Sequence, residues 1–354
     1  MKNIYIEVTH KCNLQCPHCY NSSGNNKNDM KKELYYKIIQ ELGENKQETW
    51  AIALSGGEPL MHHAICDILR ATRSYSNFKV KLITNGVLLE NVMEEFLLCD
   101  DPISVQISLD GFSEESDGYI RGKNHFQKIV QIVTDLNRAG YRKCILKMTI
   151  NRINYQELES YVEFALHNNC IPTFSFILKE GNAVANWNEL VLPIEKQISV
   201  MNELKRILFV NEKKVKEINE QIEIQSLIPR VSYKCPILSK DKSLSVSIKP
   251  NGEVQPCQAL YNSFFSIGNI ANETMSQILN DSENKKIQLI RAFLRNREEL
   301  LKRNKCNGCI LDQKCGTGCI TQAISDTNSI MELDNYCGLR RSMYYIKRLS
   351  LLKG

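Results

Sequence analysis

Short apolar runs alternate with amphipathic segments over the first 210 residues of the chain. The predicted strands are Ile4–Val8, Trp50–Leu54, Lys79–Ile83, Ser104–Leu109, Cys144–Ile150 and Thr173–Leu178. The predicted helices are Lys32–Leu42, His62–Arg73, Asn91–Leu98, Phe126–Ala139 and Tyr155–His167. This alternation predicts a parallel sheet covered by helices, an α/β fold. Six units suit a partial (β/α)6 TIM-like barrel better than a closed eight-unit barrel. In either case ligands would bind at the C-terminal ends of the strands.

The pattern changes beyond residue 210. Residues 193–228 mix apolar positions with many lysines and glutamates, which predicts a solvated helical connector. From Ser232 onward cysteines, glycines and short β-rich runs such as Leu244–Ile248 prevail. We therefore expect a barrel over residues 1–210, a helical linker over 211–232, a small cysteine-rich domain over 233–338 and a C-terminal helix over 339–354.

The charge balance changes this picture little. The 354 residues include 45 basic and 40 acidic side chains, a net charge of +5. This balance is too even to indicate a nucleic-acid or anionic-membrane partner. No apolar run is long enough to span a membrane, and Glu7 stands where a secretory signal needs apolar residues. We expect a cytoplasmic protein.

Fourteen cysteines are unusual for a cytoplasmic chain. Thiols in a reducing compartment seldom form structural disulfides, so metal or redox chemistry explains them better. Seven lie in residues 1–234 and seven in the last 120 residues. Four of the first seven, Cys66, Cys99, Cys144 and Cys170, occupy helix, strand or turn positions and are expected to be packing residues.

The remaining three follow the first strand as Cys12-Asn-Leu-Gln-Cys16-Pro-His-Cys19. One interpretation is a zinc ion with His10 or His18 as fourth ligand. The C-x3-C-x2-C spacing favours a [4Fe–4S] cluster with one iron left open. The second strand ends in a glycine pair and a carboxylate, Ser55-Gly56-Gly57-Glu58-Pro59. Glycines permit close backbone approach, and Glu58 can accept hydrogen bonds from an ammonium group, although an ordinary turn would look the same.

Together these two motifs resemble the signatures of the radical S-adenosylmethionine (SAM) superfamily. Further matches follow at strand ends: Thr84-Asn85-Gly86, Ile107-Ser108-Leu109-Asp110-Gly111 and Arg121-Gly122. The resemblance implies that an electron from the cluster splits SAM into methionine and a 5′-deoxyadenosyl radical, which abstracts hydrogen from a substrate. It implies Cys12, Cys16 and Cys19 as cluster ligands, which with Glu58 are the catalytic residues. The implied SAM contacts are Gly56, Gly57 and Glu58 at the methionine end, Ser108 and Arg121 near the ribose and carboxylate, and His18 and Tyr20 beside the adenine. Asn85 is a further implied SAM contact.

The C-terminal region carries a second cysteine array. Its core, C-x2-C-x5-C-x3-C from Cys306 to Cys319, would also suit a zinc ribbon. The order of all seven cysteines resembles the SPASM extension of radical SAM enzymes, including Gly252 four residues before Cys257 and Gly268-Asn269-Ile270. The gap from Cys235 to Gly252 is slightly longer than the usual pattern.

The SPASM resemblance implies two auxiliary clusters, and so three [4Fe–4S] clusters in all. Cys306, Cys309, Cys315 and Cys337 would hold the distal auxiliary cluster, and Cys235, Cys257 and Cys319 the one nearer the barrel. Its usual upstream fourth ligand is missing, because Leu227–Lys234 contains no cysteine. Either another residue ligates that iron or the iron is open.

SPASM enzymes mostly modify peptides, so the resemblance implies a maturase that crosslinks, epimerises or forms a thioether in a ribosomally made peptide. Formylglycine formation is disfavoured by Gln258, where those enzymes have an aspartate. Because the chain enters its first strand at once, we expect the leader to be recognised by a separate protein, by the SPASM domain, or not at all. A flavodoxin- or ferredoxin-type protein would donate electrons.

Two alternatives remain open. One is a SPASM enzyme acting on a tetrapyrrole or an aminoglycoside sugar. The other is a non-catalytic iron–sulfur carrier or zinc-stabilised binding protein, which gives no reason for Gly56-Gly57-Glu58 or Arg121.

The segment Leu339–Lys353 carries Arg340, Arg341, Lys347, Arg348 and Lys353. We expect an amphipathic helix with solvated charges, and the alternative is a docking site for an acidic leader.

Overall fold

The computed structural model describes residues 2–24, 27–229, 235–238, 246–260, 263–280 and 283–351. The side chains of Pro236 and of residues 346–351 fall outside this description. The expectation that Lys347, Arg348 and Lys353 are solvated charges of the C-terminal helix therefore lies outside the described residues. Residues 230–234 of the stretch searched for a fourth cluster ligand, and the first two residues of the predicted run Leu244–Ile248, also lie outside the described residues.

Among the described residues, nine strands form one sheet. They are β1 (Lys2–Thr9), β2 (Trp50–Gly56), β3 (Phe78–Thr84), β4 (Ser104–Ser108), β5 (Cys144–Ile150), β6 (Ile171–Phe176), β7 (Val246–Ile248), β8 (Glu253–Gln255) and β9 (Gly268–Asn269). Their order is β6-β5-β4-β3-β2-β1-β7-β8-β9, and β1 to β6 are parallel. The predicted six-unit α/β barrel is confirmed, and each of its strands begins and ends within two residues of the prediction.

Fourteen α-helices surround or follow this sheet within the residues that the structure describes. They are α1 (Lys32–Glu44), α2 (Ile65–Arg73), α3 (Tyr119–Arg121), α4 (His125–Arg138), α5 (Leu158–His167), α6 (Asn182–Ala185), α7 (Trp187–Leu190), α8 (Ile194–Val210), α9 (Glu212–Ile218), α10 (Ile224–Leu227), α11 (Met275–Leu279), α12 (Lys285–Asn304), α13 (Ile320–Thr327) and α14 (Cys337–Leu351). In the described part of the chain, none is long and apolar enough to cross a membrane.

The predicted helix Asn91–Leu98 is wrong. A 3₁₀ turn, Leu89–Val92, is followed there by a π-helical turn, Met93–Leu97. The wider turn places the neighbouring side chains of Phe96 and Leu97 in the core together, which a hydrophobic count alone does not reveal.

The two faces of the barrel sheet differ in polarity. On β1, Ile4, Ile6 and Val8 are buried in the core. Successive side chains of a strand point to opposite sides, so Asn3 and Tyr5 face the barrel interior, where they line a cavity. The helices therefore cover an apolar face, and the opposite face is left for polar chemistry.

Residues 193–228 were predicted to be a solvated helical connector. The segment is helical, but the prediction that it is solvated is wrong for one face of helix α8. Helix α8 buries Val200, Leu204, Ile207 and Leu208, which recur at i, i+4, i+7 and i+8. This stripe packs in the core of the barrel, and α8 also contacts α5 and α14.

The C-terminal region continues the barrel sheet. Strand β7 pairs in parallel with β1, with Tyr5 beside Ser247, and β8 and β9 extend the sheet in antiparallel fashion. A buried ion pair, Lys249 Nζ to Glu7 Oε1 at 2.5 Å, crosses the same junction. The two expected domains, residues 1–210 and 233–338, therefore contribute strands to the same sheet.

Candidate functional site

The loop of residues 12–19, here called the first cysteine loop, lies where β1 and β2 end. Gly57 N donates to Thr9 O at 2.8 Å, and Glu58 N donates to Lys11 O at 2.7 Å. A Cβ atom on Gly56 would lie 2.0 Å from Thr9 O, and one on Gly57 would lie 2.2 Å from Lys11 O. The glycine pair is therefore needed for the close approach of two backbones.

Glu58 is fully buried behind this pair. Its Oε1 accepts hydrogen bonds from Leu60 N at 3.1 Å and Thr84 Oγ1 at 2.7 Å, and its Oε2 accepts one from Asn85 N at 2.7 Å. Burial raises the pKa of Glu58 to about 7, against the opposing effect of these hydrogen bonds. The carboxylate thus joins the ends of β2 and β3.

Asp110, at the end of β4, organises the other side of the site. Its Oδ2 accepts hydrogen bonds from His18 Nε2 at 2.6 Å and from Arg121 Nε at 2.8 Å, and its Oδ1 accepts one from Thr149 N at 2.6 Å. Burial would raise the pKa of Asp110, but Arg121 and His18 outweigh it and hold that pKa well below its usual range. Asp110 therefore orients two residues that were singled out from the sequence, although it was not itself singled out.

A third element holds the first cysteine loop from the side of β6. Asn182 N donates to Cys19 O at 2.9 Å, Asn182 Nδ2 donates to Cys16 O at 3.1 Å, and Asn186 Nδ2 donates to Pro17 O at 3.1 Å. Gly181 has φ +58°, and a Cβ there would lie 2.5 Å from Cys19 O. The sequence analysis did not identify Gly181, Asn182 or Asn186. The one sequence feature that could have indicated them is the Gly-Asn pair that follows β6.

A cavity of about 740 Å³ opens above and inside the barrel. This volume is in the range of small-molecule and cofactor sites. Its lining includes ten of the eleven barrel residues expected to hold the cluster or SAM: Cys12, Cys16, His18, Cys19, Tyr20, Gly56, Gly57, Asn85, Ser108 and Arg121. Glu58 is the exception, since it does not line this cavity.

Three thiols and a glycine-lined wall at one end of this cavity fit a cluster with a bound SAM molecule. The same cavity reaches Cys319, Gln258, Gln322 and Arg340 of the C-terminal region. Residues of both cysteine-rich regions therefore line the same cavity.

A second, small cavity is lined by the four thiols expected to hold the distal cluster, Cys306, Cys309, Cys315 and Cys337. Its wall also carries the cations of Lys302, Arg340 and Arg341 and the carboxylate of Asp312. Burial raises the pKa of Cys235 to about 12, and the nearby Cys319 and Cys257 act in the same direction.

The other cysteines lie away from both cavities. Cys144 and Cys170 are buried in the barrel core, and Cys66 packs against it. All fourteen cysteines are free thiols.

The C-terminal helix differs from the expectation of solvated charges. Arg341 is exposed, but Arg340 is only 1% exposed. Its guanidinium pairs with Asp334, which also accepts a hydrogen bond from Cys319 N. That expectation is therefore wrong for Arg340, which lies between the two cavities and cannot meet a partner in solution.

Two family models match the chain. Residues 6–165 match the radical SAM superfamily, and residues 240–310 match the SPASM iron–sulfur cluster-binding domain. The mycofactocin maturase MftC of Mycolicibacterium smegmatis is 27% identical over 192 residues, which are 54% of this chain and 48% of that protein. The chain thus spans about half the length of the curated relatives it matches.

Solved structures share the whole fold. SuiB of Streptococcus suis bound to precursor peptide SuiA superposes with a TM-score of 0.71 at 18% identity, over 94% of this chain and 74% of that one. The protein anSMEcpe, with AdoMet and the Cp18Cys peptide, gives a TM-score of 0.72 at 17% identity over 99% of both chains. Residues 6–165 are therefore similar to radical SAM enzymes, and residues 240–310 are similar to SPASM domains.

Proposed function

We propose that the protein is a radical SAM enzyme that modifies a ribosomally made peptide. The observation that carries this proposal is the single cavity that joins the first cysteine loop to Cys319 and Gln258 of the C-terminal region. It is supported by the name of MftC, a maturase, and by the peptides bound to SuiB and anSMEcpe.

In this proposal the barrel residues hold and orient the reactants. Cys12, Cys16 and Cys19 would hold a [4Fe–4S] cluster, which would supply the electron for the reductive cleavage of SAM. Arg121 is held by Asp110, so a carboxylate group of SAM meets a cation whose position is already fixed. The cavity walls keep water from the reactive species.

The C-terminal residues would hold two further clusters, for three in total. Cys306, Cys309, Cys315 and Cys337 supply four thiolates to the distal one. Cys235, Cys257 and Cys319 supply three to the cluster nearer the barrel, whose position beside the shared cavity suits it to accept an electron during product formation. A flavodoxin- or ferredoxin-type protein would reduce the SAM-binding cluster.

Anaerobic reconstitution tests the proposal. The loaded protein should hold about twelve irons per chain and form 5′-deoxyadenosine from SAM and dithionite. The triple variant Cys12→Ala/Cys16→Ala/Cys19→Ala should retain about eight irons and form no deoxyadenosine. The variant Cys66→Ala is the matched control and should behave as the parent protein does.

Failure of an iron-loaded protein to cleave SAM would refute the enzymatic proposal and favour an iron–sulfur carrier. The substrate is tested by co-expression with short peptides encoded beside this gene, followed by mass spectrometry of each peptide. A modified small molecule in place of a modified peptide would refute the peptide assignment alone.

A further inference from the structure

Three lysines line the cavity inside the barrel; Lys79 is exposed, whereas Lys81 and Lys147 are half-buried. Lys81 on β3 and Lys147 on β5 both line the cavity of about 740 Å³. Lys81 Nζ lies 3.5 Å from Gln106 Oε1 on the intervening strand β4. Lys147 is in register with Ser108, which also lines the cavity. A cationic surface therefore spans three adjacent strands.

The carboxylates near this surface already have cationic partners. Asp110 pairs with Arg121 and His18, and Asp334 pairs with Arg340. Among the described residues, no carboxylate lies within ion-pair distance of Lys81 or Lys147. The barrel interior thus carries a surplus of positive charge.

Burial makes this surplus costly. It lowers the pKa of Lys147 to about 8, with Lys81 acting in the same direction and Asp110 opposing. Burial also lowers the pKa of Lys81. A half-buried ammonium group without a counter-ion is unfavourable, and an anion that enters the cavity reduces this cost.

We propose that Lys81 and Lys147, with Gln106, bind a carboxylate of the peptide substrate inside the barrel. This inference rests on the proposed function, since it concerns the substrate of the same cavity. A peptide carries carboxylates on aspartate and glutamate side chains and at its C-terminus, and both share the chemistry that an ammonium pair recognises. The site would fix which residue of the peptide faces the SAM end of the cavity.

Four short peptides serve as probes. Two are acetylated and amidated pentapeptides with four alanines and either glutamate or glutamine at the fourth position. The other two are acetylated penta-alanines with a free or an amidated C-terminus. Binding to the reconstituted, SAM-loaded protein is measured by calorimetry. At least one carboxylate probe should bind about ten-fold more tightly than its neutral counterpart, and the pair that shows the preference identifies the carboxylate source.

Three variants test which lysines are responsible for tighter binding of the carboxylate probes. Lys147→Met and Lys81→Met should each reduce it, and the double variant should abolish it. Lys143→Met is the matched control, because Lys143 lies just before β5, faces solvent near Asp101 and does not line the cavity. Iron content and SAM binding should be those of the parent protein in all variants. Equal binding of charged and neutral probes, or a preference that persists in the double variant, would overturn the inference.

The pH dependence supplies an independent readout. The groups that face Lys147 are Lys81 and Asp110, and Asp110 is neutralised by Arg121. Because the cationic form of Lys147 is present below its pKa, the preference should be full near pH 7 and weaken as pH rises through about 8. The variant Lys147→Met should lose that dependence.

The two proposals fail in different ways. Deoxyadenosine formation without a carboxylate preference would overturn only the lysine site. A carboxylate preference without SAM cleavage would overturn only the proposed enzymatic function.

Discussion

The two cysteine-rich regions of the molecule are held by different kinds of hydrogen bonds. The first cysteine loop is bonded to distant parts of the chain, including Asn182, which is 166 residues from Cys16. The segment of residues 306–319, here called the second cysteine segment, is bonded largely to itself. Cys309 N donates to Cys306 O at 2.8 Å, and Cys315 N donates to Leu311 O at 2.8 Å.

The two segments therefore differ in what fixes their backbone conformation. The barrel fixes the backbone of the first cysteine loop, so its three thiols are placed by the fold. The second cysteine segment has few anchors beyond its own turns. Two of them are buried arginines: Arg297 donates to Thr317 Oγ1 at 2.8 Å, and Arg340 pairs with Asp334, which accepts from Cys319 N. We therefore expect these arginines to matter more to stability than any single contact of the first loop.

The largest expected effect is that of Arg340→Met. The substitution leaves the buried carboxylate of Asp334 without its cation, and breaking a buried ion pair in this way costs about 3–5 kcal/mol. The exposed Arg341 is the control, and Arg341→Met should change the unfolding free energy by less than about 0.5 kcal/mol. Urea unfolding of the two variants measures the difference. Equal midpoints would show that the second cysteine segment does not depend on this ion pair.

A smaller effect is expected at Gly181, which tests the first cysteine loop. Gly181→Ala brings a Cβ to 2.5 Å from Cys19 O, at a φ of +58° that L residues rarely adopt. The loop must shift, and we expect about four irons per chain to be lost on reconstitution. Gly140→Ala is the control, since its φ is also positive, at +85°, but nothing lies within 4 Å of the added atom. It should cost only about 1 kcal/mol and no iron.

The same contrast explains what could be predicted from the sequence. The six barrel strands and the cysteine spacings are local patterns, and the structure has the six strands where they were expected. The contacts of Asp110 with His18 and of Asn182 with Cys16 join residues 92 and 166 positions apart. No periodicity encodes such pairs. The pairing of β7 with β1 and the burial of Arg340 were missed for the same reason, because each depends on a neighbour that is remote in sequence.

The smallest expected effect concerns Glu58, where the expectation from the sequence and the geometry differ. If the carboxylate met the ammonium group of SAM, Glu58→Gln would weaken SAM binding and leave stability unchanged. In the structure it accepts hydrogen bonds from Leu60 N, Thr84 Oγ1 and Asn85 N, and a glutamine amide would turn a donor toward one of these donors. An unmet buried hydrogen bond costs about 1–3 kcal/mol, so the unfolding free energy should fall by that amount in iron-free protein.

Glu90 provides the matched control for this substitution, because its side chain is 64% exposed and its contact with Lys128 lies on the surface. Glu90→Gln should leave the unfolding midpoint nearly unchanged, since exposed ion pairs contribute little. Calorimetric SAM titration of both loaded variants completes the test. A Glu58→Gln protein with the parent's unfolding midpoint but about ten-fold weaker SAM binding would place the carboxylate against the ligand and not between β2 and β3. We expect the opposite result for Glu58→Gln: the unfolding free energy falls, and SAM binding weakens only because a displaced Asn85 alters the cavity wall.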